Sequence, residues 1–269
     1  MPDLNWTLVG LVLSAFCAGV MNSVAGGGTL LTFPALLAAF VAPLGPERAA
    51  ALANGTSTVA LLPGSFAGAL GYRRELWDCR RFVVRMLLPS ALGGYLGATL
   101  VSQNQRAFAN LVPWLILTAA ILFVVQAPLA RWVKRRAAAQ GKADQPPGLV
   151  AQGLVIGFQF LVAIYGGYFG AGIGILMLSA LGFMGVGDIH RMNAVKTFLA
   201  ATINAASVVV FARDWLVDWS YAWPLAIAAI IGGYAGARVA RRLPASTVRY
   251  VVIAIAFGLA AYYFIQRYT

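Results

Sequence analysis

Two glycine clusters interrupt apolar stretches of the 269-residue chain: NSVAGGGT at residues 22–29 and GAGIG at residues 170–174. Clustered glycines break a helix, and irregular backbone at membrane depth persists only where protein buries it or where it lines an aqueous cavity. A helix that restarts after the break directs free N–H groups and its positive dipole end at that cavity, which suits an anion. The alternative is a tight helix crossing that needs small residues. Because two clusters occupy corresponding places along the chain, the pattern favours a binding site.

Polar side chains also lie within the apolar run at residues 49–70, namely Asn54, Thr56, Ser57 and Thr58. Such groups must bond inward or face water, because lipid offers no hydrogen-bond partner. Hydrogen bonding to neighbouring helices and coordination of a ligand both explain them.

Lys196 is the most informative single residue, since it lies inside the apolar run at residues 193–211 together with Asn193 and Thr197. An ammonium group there is energetically costly, and an anionic substrate is its natural counter-charge. The alternative is that the side chain extends back to the membrane surface, because Arg191 is close by in sequence.

The residues needed for other chemistry are missing from the sequence. The eight Asp and Glu residues fall between the apolar runs or at their ends, and His190 is the one histidine. No HExxH, GxSxG or GxxxxGK[ST] motif occurs. We therefore expect no metal and no cofactor, and we predict that the protein is not an enzyme.

The composition defines the class of protein that positions these residues. Apolar residues make up 61% of the chain and charged residues 10%, whereas soluble domains average about 45–50% and about 25%. This predicts an all-α polytopic membrane protein with roughly eight to ten spanning or half-spanning helices. The net charge of +12 does not indicate nucleic-acid binding, because most Lys and Arg residues lie in short gaps between apolar runs, where they orient helices in the bilayer.

Ten apolar runs divide into two halves of the same layout, and the motif GGYxGA occurs at residues 93–98 and again at 232–237. The prediction is therefore an internal repeat, with a first membrane repeat at 1–126, a basic linker at 127–148 and a second membrane repeat at 149–269. In each half the second run is short, and either a half-spanning helix or a re-entrant hairpin fits it.

The distribution of positive charge indicates how the repeats are oriented. With five runs per half, all but four of the 20 Lys and Arg residues lie on one side, the four being Arg48, Arg106, Arg213 and Arg267. Four runs per half would divide the charges more evenly. The positive-inside rule therefore predicts two inverted repeats, with both termini in the periplasm and the linker in the cytoplasm.

In combination, several segments resemble the TauE/SafE family of membrane transporters, also called the toluene-sulfonate uptake permease family. The segments are NSVAGGGTLLTFPAL (22–36), ANGTSTVALLPG (53–64), GYRREL (71–76), YGGYFGAGIGILML (165–178), NAVKTFL (193–199) and GGYAGARVARRLP (232–244). The resemblance implies a transporter of sulfur-containing anions such as sulfite, sulfoacetate and other organosulfonates in the bacterial inner membrane.

The resulting hypothesis is a secondary transporter, operating as an exporter, whose partners are the lipid bilayer and a small anion. An uptake permease for sulfonates and a channel-like anion conductor are the alternatives. The predicted substrate-binding residues are Asn22, Gly26, Gly27, Gly28, Thr29, Asn54, Thr56, Ser57, Gly170, Gly172, Gly174, Asn193, Lys196 and Thr197.

Overall fold

The computed structural model describes residues 4–24, 27–139, 149–183, 189–239 and 245–268. Within these ranges the chain is α-helical and contains no strand. The helices are α1 (Leu4–Val24), α2 (Thr29–Leu44), α3 (Pro46–Gly71), α4 (Arg73–Asp78), α5 (Arg80–Gln103), α6 (Gln105–Ala139), α7 (Leu149–Tyr168), α8 (Ile173–Phe183), α9 (Ile189–Arg213), α10 (Trp219–Val239) and α11 (Ala245–Tyr268).

The outer surface of the bundle is apolar. On α5, for example, Val84, Leu88, Leu92, Leu96 and Leu100 recur every fourth residue and are all exposed. This spacing places them along one face of the helix, which in a soluble protein would be polar. Within the described ranges, segments Arg80–Gln103, Gln105–Val125 and Arg191–Arg213 are long and apolar enough to cross a bilayer. The prediction of an all-α membrane protein is confirmed.

The recurring GGYxGA segments mark the closest helix crossings. A Cβ atom on Gly97 of α5 would lie 2.1 Å from the carbonyl oxygen of Ile164 on α7. A Cβ atom on Gly232 of α10 would lie 2.0 Å from the carbonyl oxygen of Phe16 on α1. Helix backbones can approach this closely only where no side chain intervenes. These glycines therefore serve helix packing. In both crossings a helix of the first half packs against a helix of the second half.

Helices α3 and α9 form an antiparallel pair in the middle of the bundle, and every residue from Ala49 to Ser57 of α3 is buried. A Cβ atom on Gly55 would lie 3.2 Å from Phe211 Cβ, and one on Gly68 would lie 3.3 Å from Thr197 Cγ2. These two contacts are about 20 Å apart along α3 at 1.5 Å per residue. The pair therefore connects the two halves over most of its length.

Two features extend beyond the apolar runs. Helix α6 continues to Ala139, past the predicted repeat boundary at 126, because residues 127–139 are mostly Ala, Leu, Lys and Arg, which favour helix. The polar segment between α3 and α5 forms the short helix α4.

The helix pairings are those of a repeat protein. If α1 corresponds to α7 and α5 corresponds to α10, the pairing of α1 with α10 in the structure is equivalent to the pairing of α7 with α5. The inverted orientation and the repeat boundaries remain predictions.

Candidate substrate site

The first glycine break lies between α1 and α2. Gly27 has a φ of 92°, which favours glycine, and a Cβ there would lie 2.2 Å from Cζ of the Phe123 ring. The Gly28 N–H donates to Asn22 Oδ1 at 2.8 Å, so this side chain caps the restart of the chain into α2, which begins at Thr29. Four of the predicted residues, Asn22, Gly27, Gly28 and Thr29, thus lie together at this break, while Gly26 lies outside the described residues.

The second break lies between α7 and α8. Gly170 and Gly172 both have a φ of 81°, and the Tyr165 hydroxyl donates to the Ala171 carbonyl at 2.8 Å. A Cβ on Gly172 would lie 3.1 Å from Cδ1 of Leu122 on α6. Leu122 precedes Phe123, the residue that contacts the first break. Both breaks therefore pack against the same turn of α6.

The polar residues of α3 connect it to three other segments. Asn54 Nδ2 donates to the Tyr168 carbonyl at 3.0 Å, where α7 ends. Thr56 Oγ1 accepts the Asp218 N–H at 3.0 Å, from the connection between α9 and α10. Ser57 Oγ lies 2.5 Å from Thr32 Oγ1 on α2. Hydrogen bonding within the bundle thus engages Thr56 and Ser57.

Thr32 is a member of this group that the sequence reasoning missed. It is fully buried and lies one turn after the first break. Its signal was a single polar side chain within the apolar segment LLTFPAL. We call Thr32, Asn54, Thr56 and Ser57 the Asn54 cluster.

Asn54 has a feature that packing does not explain. The residue is 1% exposed, and among the residues that the structure describes its Oδ1 atom has no hydrogen-bond partner. The amide orientation is well defined, because the other amide atom faces a carbonyl oxygen and must be the N–H donor. A buried acceptor without a partner costs about 1–3 kcal/mol, which is a reason to expect a ligand or water there.

Aromatic rings pack together at the start of the second break, where α7 ends. Phe33 of α2 packs edge-on against Phe169 with ring centroids 5.2 Å apart, and Phe108 of α6 packs against Tyr168 at 5.2 Å. Phe33, Phe108 and Phe169 are at most 2% exposed. We call Phe33, Phe108, Tyr168 and Phe169 the aromatic cluster. The sequence reasoning did not find it, because buried aromatic residues are common in any apolar helix.

Lys196 lies on α9 beside the other end of the second break. Its Nζ donates to Asn193 Oδ1 at 3.1 Å, and its Cδ would lie 3.1 Å from a Cβ on Gly174. The glycine therefore leaves room for the lysine stem. In the part of the chain that the structure describes, the ion pairs are Arg106–Glu47, Arg191–Asp78 and Arg213–Asp214, and none includes Lys196. Its charge has no protein counter-charge among these residues.

The predicted residues of α3, α8 and α9 form two groups. We call Gly174, Asn193, Lys196 and Thr197 the Lys196 cluster. Thr197 packs at the Gly68 end of α3 and the Asn54 cluster lies at the Gly55 end, so the clusters are about 20 Å apart along the pair. The second break is the link between them, because Tyr168 contacts Asn54 and Gly174 contacts Lys196.

The chemistry offered here is binding by neutral polar groups and one ammonium. Among the described residues, no group of His, Cys, Asp and Glu could hold a metal ion. A helical membrane bundle with two glycine-broken segments packed around one helix has the architecture of a membrane transporter.

Comparison with known proteins agrees with this class. The family profile described as "Sulfite exporter TauE/SafE" matches residues 11–263, so the chain belongs to the TauE/SafE family.

Its relatives carry transporter names. "Probable membrane transporter protein ORF9" of Sinorhizobium sp is 29% identical over 97% of this chain and 94% of its own length. A "Probable membrane transporter protein" of Haemophilus influenzae is 26% identical over 91% of this chain and 90% of its own. "Probable membrane transporter protein YfcA" of Escherichia coli K12 is 26% identical over 93% and 87%. No solved structure matches the chain.

Proposed function

We propose that this transporter exports sulfur-containing anions, such as sulfite, sulfoacetate or another organosulfonate, across the bacterial inner membrane. The observation that carries the anion preference is Lys196, whose ammonium has Asn193 as a neutral partner and no carboxylate among the described residues. The sulfur chemistry is supported by the family to which the chain belongs.

The proposed path runs past both glycine breaks, since both pack on α6. Gly27, Gly28 and Thr29 on one side and Gly170 and Gly172 on the other bring backbone close to the anion. Asn22 holds the first break in shape through Gly28. The Asn54 and Lys196 clusters would then contact the substrate at two successive positions, one in each half.

The driving force for export is electrical. When an anion leaves a cytoplasm that is at negative potential, its free energy falls by about 2.3 kcal/mol per charge for every 100 mV. This transport needs no chain of carboxylates. The positive-inside rule supports a cytoplasmic central linker and periplasmic termini for this exporter.

Uptake of sulfonates would use the same residues with the opposite gradient. A channel-like conductor would need a continuous aqueous path. The 1% exposure of Asn54 and the packing of the aromatic cluster support a carrier with a closed barrier at this level.

Sulfite flux from purified protein in liposomes, driven by an imposed potential, tests the proposal. We expect flux from the wild type, loss in Lys196→Met, and substantial flux in the variant that combines Glu47→Gln, Asp188→Asn and Asp214→Asn. A dead acid variant with normal folding and an active Lys196→Met would contradict this mechanism.

A further inference from the structure

We propose that Asn54 selects the protonated, donor-bearing form of the substrate: its Oδ1 accepts a hydrogen bond from an O–H or N–H of a monoanionic sulfur oxyanion. Hydrogensulfite is the simplest such anion. The inference rests on the proposed function and adds the protonation state of the transported species.

The position of Asn54 supports this role. Its amide N–H is used by the Tyr168 carbonyl, which holds the side chain against the end of α7 just before Gly170. Its Oδ1 atom has no hydrogen-bond donor among the described residues, although the residue is only 1% exposed and lies next to the aromatic cluster. In such a dry environment a polar atom requires a partner, and an acceptor oxygen can be satisfied only by a donor.

In the second half of the chain, the amide oxygen of the corresponding asparagine does have a hydrogen-bond donor. In the predicted repeat, residues 193–197 (NAVKT) correspond to residues 54–58 (NGTST), with which they share the first Asn and the last Thr. Asn193 Oδ1 accepts a hydrogen bond from Lys196, three residues later. The matching residue in the first half is Ser57, whose hydroxyl is paired with Thr32. Asn54 therefore has no donor from its own helix where Asn193 has one.

This arrangement discriminates between forms of one anion. A fully deprotonated sulfite dianion brings only acceptor oxygens to Asn54, so the two oxygens repel each other. Hydrogensulfite brings one hydrogen, and an organosulfonate with a hydroxyl group does the same. A monoanion also matches the single ammonium of Lys196, to which it passes along the second break.

The test compares two competitors of sulfite flux in liposomes, ethanesulfonate and 2-hydroxyethanesulfonate, which have the same charge and differ by one hydroxyl. We expect the hydroxylated compound to inhibit wild-type flux at a lower concentration than ethanesulfonate, by a factor of up to about ten. In Asn54→Leu this preference should disappear. Ser65→Ala is the matched control, because among the described residues Ser65 Oγ bonds the Leu61 carbonyl of its own helix and no other group, and it should keep the preference.

Equal inhibition by the two sulfonates in the wild type overturns the inference, as does a preference that survives in Asn54→Leu. If neither sulfonate competes, wild-type sulfite flux at equal pH on both sides decides. Flux that follows the hydrogensulfite fraction supports the inference, and flux that follows the dianion overturns it. Absence of any sulfite flux would instead refute the proposed function.

Discussion

The side chain of Lys196 lies along the surface of Gly174, with Cδ 3.1 Å from the position of a Cβ atom on that glycine. The first turn of α8 and the one lysine of α9 are therefore in direct contact. A larger side chain at residue 174 would have to displace the lysine stem, because even a Cβ atom there would lie closer to Lys196 Cδ than ordinary van der Waals contact allows.

We expect Gly174→Val to reduce anion transport strongly without unfolding the protein. Residue 174 does not have a positive φ, and the atom it would meet belongs to a flexible side chain. The measurement is liposome flux together with thermal unfolding in detergent. Lys196→Arg serves as a control for charge and should retain part of the flux. Full transport in Gly174→Val would show that the lysine position is unimportant.

Replacing Gly97 with Ala should lower the free energy of unfolding by about 1–3 kcal/mol, because the added methyl group would overlap the backbone of α7. Its Cβ would lie 2.1 Å from Ile164 O, and backbone cannot move away as a side chain can. Gly157→Ala on α7 is the control, since no described atom of another helix lies within 4 Å of its Cβ position. Equal unfolding temperatures for the two variants would disprove the close crossing.

A hydrogen-bonded group joins the ends of α5 and α9. Arg213 Nε donates to Asp214 Oδ1 at 2.8 Å and Ser102 Oγ donates to Asp214 Oδ2 at 2.5 Å. The Arg213 bond, followed by the Ser102 bond, holds the pKa of the Asp214 carboxyl below its usual range. The carboxylate therefore stabilises the folded protein above the unfolded-state pKa of about 4, and this contribution is lost as the pH falls through the lower folded-state value.

Ser102→Ala should therefore lower the unfolding temperature slightly at pH 7, and the difference from wild type should vanish below the folded-state pKa of Asp214. Thermal unfolding in detergent across this pH range measures it. Because the side chain of Asp214 is partly exposed, high salt should weaken the effect. A difference that grows in acid would contradict the assignment.

The predicted topology can be checked by labelling. With Cys17 and Cys79 replaced by Ser, a cysteine introduced at Gln145 should react with a membrane-impermeant maleimide only after the cells are opened. Labelling of intact cells at this position would place the linker in the periplasm and reject the inverted arrangement. A second cysteine at Arg106, on the other predicted side, provides the positive control.

Much of this protein could be predicted from local sequence. Apolar runs without acids determine helices that face lipid, and clustered glycines determine where α1 and α7 must end, since no side chain restrains the backbone there. Each of these signals acts through residues that are neighbours in the chain.

The arrangement of the candidate site depended on contacts between distant residues. Asn54 and Lys196 each looked like part of one site, but the antiparallel register of α3 and α9 places their clusters about 20 Å apart along the pair. Likewise, the open acceptor of Asn54 exists because its amide pairs with Tyr168, far along the chain, while Ser57 pairs with Thr32. Sequence spacing specifies which face of a helix a residue occupies. Which other helix meets that face is decided by packing of the whole bundle.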